Sequence, residues 1–421
     1  MTSTPTNSPT STSAQPSSRP TDSNIYPNGK HYYIFLVAYL VGLSAFGSFV
    51  NDMYLPTLPE MTRYFDCSVS VVQLGLTMGM IGLGIGQLIM GPVSDKYGRK
   101  PVLIITLSIF IIAAIVSVFS PTIHFFLGCR LVQGIGASGG YFLSRTIPAD
   151  IYSGRPLAKM MALIGAINGF APASAPVLGG LLAVADGWKG IFYVLAGFAA
   201  LLICVGIPLK ESLKPQNRFK GKLIDAFKEY PMLIKNKRFM VHTLLKGSAL
   251  GLLFAYCSSA PFIMQDHFGW SEVHFGLFMG FNALFVAFGA MMALKFKVLK
   301  RAGYVGGWTL LIATFAQFGV LFFLNNFWAY ELTMLPIVFS LGMIFTVGNT
   351  LAMNEGRSNA GGASALLGLT GYVFGAIVAP LVGIGNIMHS TAITFVVLAV
   401  ITLAFAYATK ALSPDPNMVK K

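Results

Sequence analysis

The chain has 421 residues, of which 55% are hydrophobic and only 10% are charged, and its formal net charge is +14. Apolar residues at this density exclude an ordinary soluble domain, because they need lipid as their solvent. The basic excess does not indicate nucleic-acid binding, since the Lys and Arg residues do not gather on one soluble face.

Residues 1–30 form the first predicted segment, a disordered tail. Ser, Thr, Pro and Asn dominate it, and with almost no large apolar residues it cannot bury enough surface to fold. No apolar core follows a basic start within it, so we do not interpret it as a signal peptide. A second, short tail is predicted at 411–421.

Twelve apolar stretches lie between the tails. Each is close to the roughly 20 residues that an α-helix needs to cross about 30 Å of hydrocarbon. They are apolar on all sides, whereas strands of a transmembrane barrel would alternate in polarity. The sequence thus predicts an all-α membrane protein with twelve transmembrane helices in two six-helix halves. The helices are predicted at 31–55, 71–91, 101–120, 123–147, 159–183, 188–208, 239–263, 272–294, 303–325, 327–352, 360–385 and 387–409.

One long polar connection, residues 209–238, separates the sixth predicted helix from the seventh. This linker divides the chain into a first half at 31–208 and a second half at 239–410. Two such halves can rock about a site near the middle of the membrane, as secondary transporters do. We therefore predict a transporter rather than an enzyme.

The loops between the helices are strongly asymmetric in positive charge. Loops on the side of both tails and the linker hold nearly all of the loop Lys and Arg, and the opposite side holds only Arg63 and Lys189. Positive loops stay in the cytoplasm and face anionic lipid headgroups, so both termini are predicted to be cytoplasmic. The positive loop residues are Lys96, Arg99, Lys100, Arg145, Arg155, Lys159, Lys295, Lys297, Lys300, Arg301 and Arg357.

Few ionisable residues lie inside the predicted helices, where each costs a few kcal/mol or more. The clearest are Asp52 late in the first helix, Arg130 early in the fourth and Lys246 early in the seventh. A rise of about 1.5 Å per residue puts Asp52 and Arg130 roughly 6 and 10 Å below the outer surface, close enough to interact across a cavity. Asp52 is therefore the predicted proton-binding residue, with Arg130 beside it.

Each of these residues also has a structural interpretation. Asp52 would otherwise be a helix-end acid at the outer interface, and Arg130 a lock that satisfies buried carbonyl groups or Gln133. Lys246 can extend its amine to the cytoplasmic interface. Glu331, at the start of the tenth helix, is interpreted as a favourable charge at a helix N-terminus and not as a site.

The turn after the second helix carries the segment GPVSDKYGRK at 91–100. This segment resembles the signature of the major facilitator superfamily at every defined position. The resemblance implies the major facilitator fold, and a cytoplasmic latch that engages neighbouring helix ends and stabilises the outward-open state. The alternative is a set of solvated loop charges that only fix the topology. The implied latch residues are Gly91, Asp95, Gly98, Arg99 and Lys100.

Two further helices resemble motifs of the same superfamily. RLVQG at 130–134 resembles the fourth-helix motif associated with proton coupling. APASAPVLGG at 171–180 resembles the fifth-helix motif of antiporters, although Ala171 and Ala175 replace its two leading glycines. Prolines in such a helix bend it and free backbone carbonyls. The gating residues implied here are Pro176, Gly179 and Gly180.

Finer features resemble one branch, the bicyclomycin and chloramphenicol resistance (Bcr/CflA) family of drug:proton antiporters. They are NDMYLPTLP at 51–59, LFAYCSSAPF at 253–262 and AGGASA at 360–365. Some relatives carry a second acid two turns before Asp52, where this chain has Ser44, so we expect one proton per cycle. The resemblance implies a partly apolar cavity in which aromatic faces receive flat drugs. Its implied lining residues are Asn51, Tyr54, Gln133, Tyr141, Tyr256 and Phe262.

The sequence as a whole predicts a proton-coupled multidrug efflux antiporter of a bacterial inner membrane, exporting chloramphenicol- or bicyclomycin-like molecules. We expect a monomer that uses the proton gradient and no cofactor, and no metal, because Cys and His are not spaced as ligands. One alternative is a dedicated exporter or carrier of a metabolite such as an amino acid, a sugar or a siderophore. A membrane receptor or enzyme is disfavoured, since the chain has no HExxH motif or Walker-type loop.

Overall fold

The computed structural model describes residues 29–152, 154–221, 230–357 and 360–412. These residues form twelve long helices joined by turns and short helices, and no strand occurs among them. The predicted all-α membrane fold is therefore confirmed. Residues 1–28 of the predicted tail, the middle of the linker at 222–229 and nearly all of the tail at 411–421 lie outside the described residues.

The first half contains helices α1 to α6. A turn of 3₁₀-helix and a short helix, Leu58–Tyr64, follow α1. α5 and α6 are one helical run that breaks at Gly187, so that α5 covers 154–186 and α6 covers 188–205. The bounds are α1 Lys30–Asp52, α2 Val69–Tyr97, α3 Arg99–Val118, α4 Ile123–Ile151 and the run Gly154–Val205.

The second half begins after the linker with the short helix Tyr230–Lys235 and contains helices α7 to α12. π-helical turns extend α7 and α9, at Phe262–His267 and Val320–Leu324. The bounds are α7 Lys237–Pro261, α8 Glu272–Ala293, α9 Leu299–Gly319, α10 Phe327–Glu355, α11 Ala360–Leu381 and α12 Ile387–Ala411.

Ten stretches of the described chain are long and apolar enough to cross a membrane. One of them, Lys159–Val205, contains most of α5 together with α6, and α4 is the long helix that is absent from the set. α4 is less apolar because it carries Arg130, Gln133 and a series of glycines. The same residues make α4 a polar element inside the protein, where neighbouring helices can satisfy it.

The helices begin where side chains can accept hydrogen bonds from free backbone N–H groups. The N-cap side chains that do so are Thr122 for α4, Asn236 for α7, Ser271 for α8, Asn326 for α10 and Asn386 for α12. Gly98, between α2 and α3, has a φ of 101°, a conformation that other residues rarely adopt. It allows the tight reversal at the motif that spans 91–100.

Glycines let the backbones of neighbouring helices approach each other closely. A Cβ added at Gly82 of α2 would collide with the carbonyl of Leu131 in α4, and one at Gly134 would collide with the carbonyl of Gly79. Small residues of this kind drive helix association in lipid through close packing. Between the halves, α2 packs on α11 and α5 packs on α8. We call the end of the bundle with the 91–100 motif and the linker the linker face, and the other end the opposite face.

Candidate transport site

Arg130 is fully buried in α4 and holds three helices together. Its guanidinium donates hydrogen bonds from Nε to the carbonyl of Gly75 in α2 at 3.3 Å, and from Nη1 to the carbonyl of Val50 in α1 at 3.2 Å. Nη1 also donates to Oε1 of Gln133 at 2.8 Å. The cation lies 4.3 Å from the ring centroid of Tyr54, within cation–π range. No described ion pair includes Arg130, so its partners are neutral.

Asp52 ends α1 and is partly exposed. Nδ2 of Asn51 donates a 3.2 Å hydrogen bond to its carboxylate. The Arg130 cation attracts this carboxylate through space, although the two groups form no direct ion pair. Asp52 also interacts with Cys257 of α7 and Tyr372 of α11. Both of these residues belong to the second half, so Asp52 lies within electrostatic range of it.

Most of the residues expected to line a drug cavity are packed inside the protein. Tyr54, Gln133 and Tyr256 are at most 1% exposed, Phe262 is 2% exposed and Asn51 is 5% exposed. Nε2 of Gln133 donates to the carbonyl of Ala113 at 3.2 Å and to Oγ of Ser117 at 2.9 Å, both in α3. These residues therefore pack within the protein interior, and their contact with a substrate stays a prediction.

Between the halves, toward the linker face, lies a cavity of about 310 Å³. Residues of α2, α4, α5, α7, α10 and α11 line it, and Tyr141 is the one member of the predicted cavity set among them. The other polar neutral lining residues are Gln87, Asn349, Ser364 and Tyr372. This volume is at the lower end of the range for small-molecule sites.

Two cations also line the cavity. Nη2 of Arg145 donates to the hydroxyl of Tyr141 at 2.7 Å, and Nζ of Lys246 donates to Oδ1 of Asn349 at 3.2 Å. The sequence analysis placed Arg145 in a positive loop and allowed Lys246 to reach the membrane interface. Both side chains instead meet polar partners at the cavity, since Arg145 lies within α4 and Lys246 within α7, on helices that line it.

Glu331 is a buried acid that sequence reasoning did not identify as a candidate. Its side chain is 5% exposed, and neither carboxylate oxygen has a hydrogen-bond partner among the described residues. Oδ1 of Asn282 and the hydroxyl of Tyr330 nearby are also buried without partners. The pattern at the start of α10 looked like a solvated helix end, and only the packing of α8 and α7 over it shows otherwise. The side-chain amide of Asn282 donates one N–H to the hydroxyl of Tyr256 at 2.7 Å, and it is also the polar group that acts on the Glu331 carboxylate.

The motif at 91–100 forms an ion-pair network at the linker face. Nη1 of Arg99 lies 2.5 Å from Oδ1 of Asp95, and Nε lies 2.9 Å from Oδ2 of Asp150 at the end of α4. Nη1 also donates to Oγ of Ser94 at 2.7 Å. With its side chain only 6% exposed, Arg99 is a locked structural cation and differs from a solvated loop charge. Its role in gating stays a prediction.

The beginning of the linker joins the same network. The carboxylate of Glu211 accepts from the backbone N–H of Arg99 at 2.9 Å and of Lys100 at 3.1 Å, so it caps the N-terminus of α3. Nζ of Lys100 donates to the carbonyl of Ile207 at 2.7 Å. The carbonyl of Gly91 accepts from Oγ of Ser94 at 3.1 Å. The sequence analysis missed Asp150 and Glu211 because they meet the 91–100 motif only after folding. Their distance from the motif along the chain gives no indication of this contact.

At the opposite face the two halves are closed on each other. Arg63 pairs with Asp266 at 3.3 Å, and Nε2 of Gln265 donates to the carbonyl of Pro56 at 2.9 Å. Deeper in the interface, Nε2 of Gln73 donates to the carbonyl of Ser258 at 3.0 Å. These contacts join the first half to the second at several depths. The cavity lies nearer the linker face, on the side away from this closure.

The predicted gating residues of α5 take part in the closure. A Cβ added at Gly179 would collide with the carbonyl of Met53, and one at Gly180 would collide with the carbonyl of Glu272 in α8. A Cβ on Gly276 of α8 would lie 2.5 Å from the carbonyl of Pro176. The α5 backbone can therefore approach the end of α1 and the start of α8 only because these positions lack side chains. How these contacts change during transport stays a prediction.

Comparisons with known proteins agree with this architecture. A family model described as Major Facilitator Superfamily matches residues 40–380. The chain is 36% identical over 397 residues to "Uncharacterized MFS-type transporter YdgK" of Bacillus subtilis, covering 91% of this chain and 97% of that protein. It is 30% identical over 369 residues to "Bicyclomycin resistance protein homolog" of Haemophilus influenzae, covering 84% and 89%.

Among solved structures, the fold is similar to that of a bacterial homolog of the human lysosomal transporter Spinster, in an inward-facing and occupied conformation. The TM-score is 0.75 at 15% identity, and the match covers 92% of this chain and all of that chain. At this level of identity the similarity concerns the fold alone.

Proposed function

The chain belongs to the major facilitator superfamily, and from that membership we propose that it is a proton-coupled antiporter that exports small drug-like molecules. That it is a transporter and not an enzyme follows from the family. Relatives named for resistance to bicyclomycin and chloramphenicol support a drug-like cargo. We place the protein in a bacterial cytoplasmic membrane, with the linker face toward the cytoplasm.

The observation that carries the proposal is that Asp52 lies within electrostatic range of Arg130 without a direct ion pair. Asp52 is partly exposed and interacts with residues of α7 and α11, whereas Arg130 is fully buried behind it and has only neutral partners. An unneutralised cation at this depth favours a negative charge nearby. Asp52 can therefore alternate between a carboxylate held by the field of Arg130 and a neutral acid. In this scheme Arg130 is a positioning residue that biases the proton site without leaving its hydrogen bonds.

The energetics of one proton are sufficient for uphill export. A proton that moves inward through ~100 mV releases roughly 2.3 kcal/mol, which supports about a fifty-fold substrate gradient before any pH difference. The antiporter needs only that substrate and proton compete for Asp52. Competition follows if the cargo enters the cavity from the linker face and reaches Tyr372, which lines that cavity and interacts with Asp52.

A second candidate function, export or exchange of a polar metabolite, has an observation in its favour. The cavity at the linker face is lined by Gln87, Asn349 and Ser364 together with two cations, and it is more polar than flat lipophilic drugs require. The predicted aromatic residues Tyr54, Tyr256 and Phe262 do not line it. Both candidate functions use the same proton site. A comparison of drugs and metabolites as cargo therefore distinguishes them.

The test uses inverted membrane vesicles with an imposed pH gradient. We expect chloramphenicol or another lipophilic drug to release protons from wild-type vesicles, and Asp52→Asn to abolish the release. Asp66→Asn is the matched control, because Asp66 is exposed in the turn before α2 and should leave the response intact. If drugs release no protons but amino acids or sugars do, the metabolite function replaces the drug function. A wild-type response in Asp52→Asn would exclude Asp52 as the proton carrier.

A further inference from the structure

Arg145 and Lys246 bring two positive charges to the cavity from opposite halves of the protein. Arg145 is on α4 of the first half and Lys246 is on α7 of the second, and both are partly buried. Arg145 acts on Lys246 as a like charge. Among the described residues that line the cavity there is no Asp or Glu. Two cations thus share a partly enclosed space in which no described acid lies.

The partners of these cations inside the protein are neutral and few. Arg145 donates to the Tyr141 hydroxyl, and its guanidinium lies 4.4 Å from the centroid of that ring. Lys246 donates to Asn349. Neither residue takes part in an ion pair of the described chain. Since a guanidinium has five N–H donors and an ammonium three, several donors on both groups are available to a ligand.

We propose that Arg145 and Lys246 form a subsite for the anionic group of a small organic acid, and that the transported molecules include acids with a carboxylate or an equivalent anion. This inference rests on the proposed function, because it names the chemical class of its cargo. A guanidinium can bind a carboxylate through two parallel hydrogen bonds, and an ammonium adds a compact charge on the other side. An anion between them removes the repulsion of the like charges and links the two halves.

The rest of the lining indicates the body of the ligand. Met161, Ile164, Leu250 and Leu367 form apolar walls beside the cations. A cavity of about 310 Å³ accommodates a small aromatic or aliphatic skeleton. A soluble organic acid fits these dimensions, whereas the acyl chains of an anionic lipid would have to leave the space between the halves. The subsite is therefore assigned to a soluble acid rather than to a lipid headgroup.

Tyr372 connects this subsite with the proton site. Its side chain lines the cavity and interacts with both Arg145 and Asp52. A molecule with a distant amino group could also reach Asp52, but it would have to be long, because about 16 Å of α7 separates Lys246 from Cys257, the α7 residue that interacts with Asp52. Such an amphoteric molecule would compete with the proton on Asp52, as antiport requires.

The test measures binding to the purified full-length protein by titration calorimetry. The probes are a panel of aromatic amino acids and benzoic acids, each paired with its methyl ester, which keeps the skeleton and removes the anion. We expect at least one acid to bind about tenfold more tightly than its ester, the effect of one or two charge-assisted hydrogen bonds. Lys246→Gln and Arg145→Gln should each reduce that preference about tenfold while ester affinity is kept. Lys410→Gln is the control, because Lys410 is exposed on α12 away from the cavity.

Three results would overturn the inference. The first is that every acid binds with the same affinity as its ester, and the second is that the Lys246→Gln protein still prefers the acid as strongly as the wild type. The third is that acid binding is lost when the protein is moved into phosphatidylglycerol membranes, which would assign the subsite to lipid. Thermal unfolding of each variant shows that it is folded. The proposed function is tested separately by proton release from vesicles. If acids bind as expected but no cargo releases protons, the subsite stands and the antiport function fails. If drugs release protons but no acid binds more tightly than its ester, the antiport function stands and the subsite fails.

Discussion

Each half of the molecule buries one charged side chain near the opposite face, Arg130 at the start of α4 and Glu331 at the start of α10, and the two are treated differently. Arg130 donates to the carbonyls of Val50 and Gly75 and to the side chain of Gln133. Glu331 accepts no hydrogen bond from any described residue, although it is equally removed from solvent. The first half surrounds its charge with hydrogen-bond acceptors from three helices, although Nη2 of Arg130 has no partner among the described residues, and the second half supplies none to Glu331.

The difference shows what a buried charge requires. Partners on three helices offset the free energy of removing the Arg130 guanidinium from water, and they fix the distances between α1, α2 and α4. Around Glu331 the nearby amide oxygen of Asn282 and hydroxyl of Tyr330 are unsatisfied as well. An unpartnered buried polar group costs folding free energy. Arg130 therefore stabilises its half, whereas Glu331 weakens the other.

The largest effect is expected from Arg130→Ala. The substitution removes three hydrogen bonds and leaves a cavity in a fully buried place, so the protein should lose about 3–5 kcal/mol of unfolding free energy. Chemical unfolding in detergent measures the loss. Arg301→Ala, an exposed arginine at the start of α9, is the control and should change stability very little. Equal stabilities of the two variants would show that the Arg130 network does not hold α1, α2 and α4 together.

A smaller effect of opposite sign is expected from Glu331→Gln. The amide keeps the shape of the side chain and removes an unpartnered charge, so unfolding free energy should rise by about 1–2 kcal/mol. The matched control is Glu272→Gln at the first turn of α8, where the acid favours the helix N-terminus and its loss should cost a few tenths of a kcal/mol. A loss of stability in Glu331→Gln would mean that the carboxylate has a partner in the membrane.

The smallest effect is expected where the two halves meet at the surface. Arg63 and Asp266 are 69% and 45% exposed, and solvent screens such a pair. Arg63→Gln should lower the unfolding free energy by less than about 1 kcal/mol, and the difference should vanish at high salt. Unfolding at low and high salt checks this. A large effect that persists in salt would make this pair, and not the buried glycine contacts of α5, the main contact that closes the opposite face.

Much of the fold was readable from the sequence because lipid imposes a simple rule. Every long apolar stretch must become a helix, so the number of helices, their approximate ends and the division at the linker followed from hydropathy. The resemblance carried by the segment at 91–100 pointed to the superfamily, which the comparisons confirm. Asp52 and Arg130 stood out because charges inside such stretches are rare and costly.

The sequence alone could not show which side chains meet. Tyr54, Tyr256 and Phe262 carried the expected chemistry for a drug cavity but are packed in the interior, whereas Arg145, taken for a loop cation, lines the cavity with Lys246. Arg99 hydrogen-bonds with Asp150 and Glu211, and both of these partners are distant from it in sequence.

Hydropathy reports the average environment along one helix, and it therefore determined that this chain spans a membrane as two sets of six helices. It carries no information about the rotation of a helix about its axis. A turn of 100° per residue separates a cavity-facing side chain from a buried one, and that angle is set by contacts with neighbouring helices. Tertiary structure therefore decided that Arg130 finds acceptors on three helices, that Glu331 finds no donor among the described residues, and that two cations line one cavity from opposite halves.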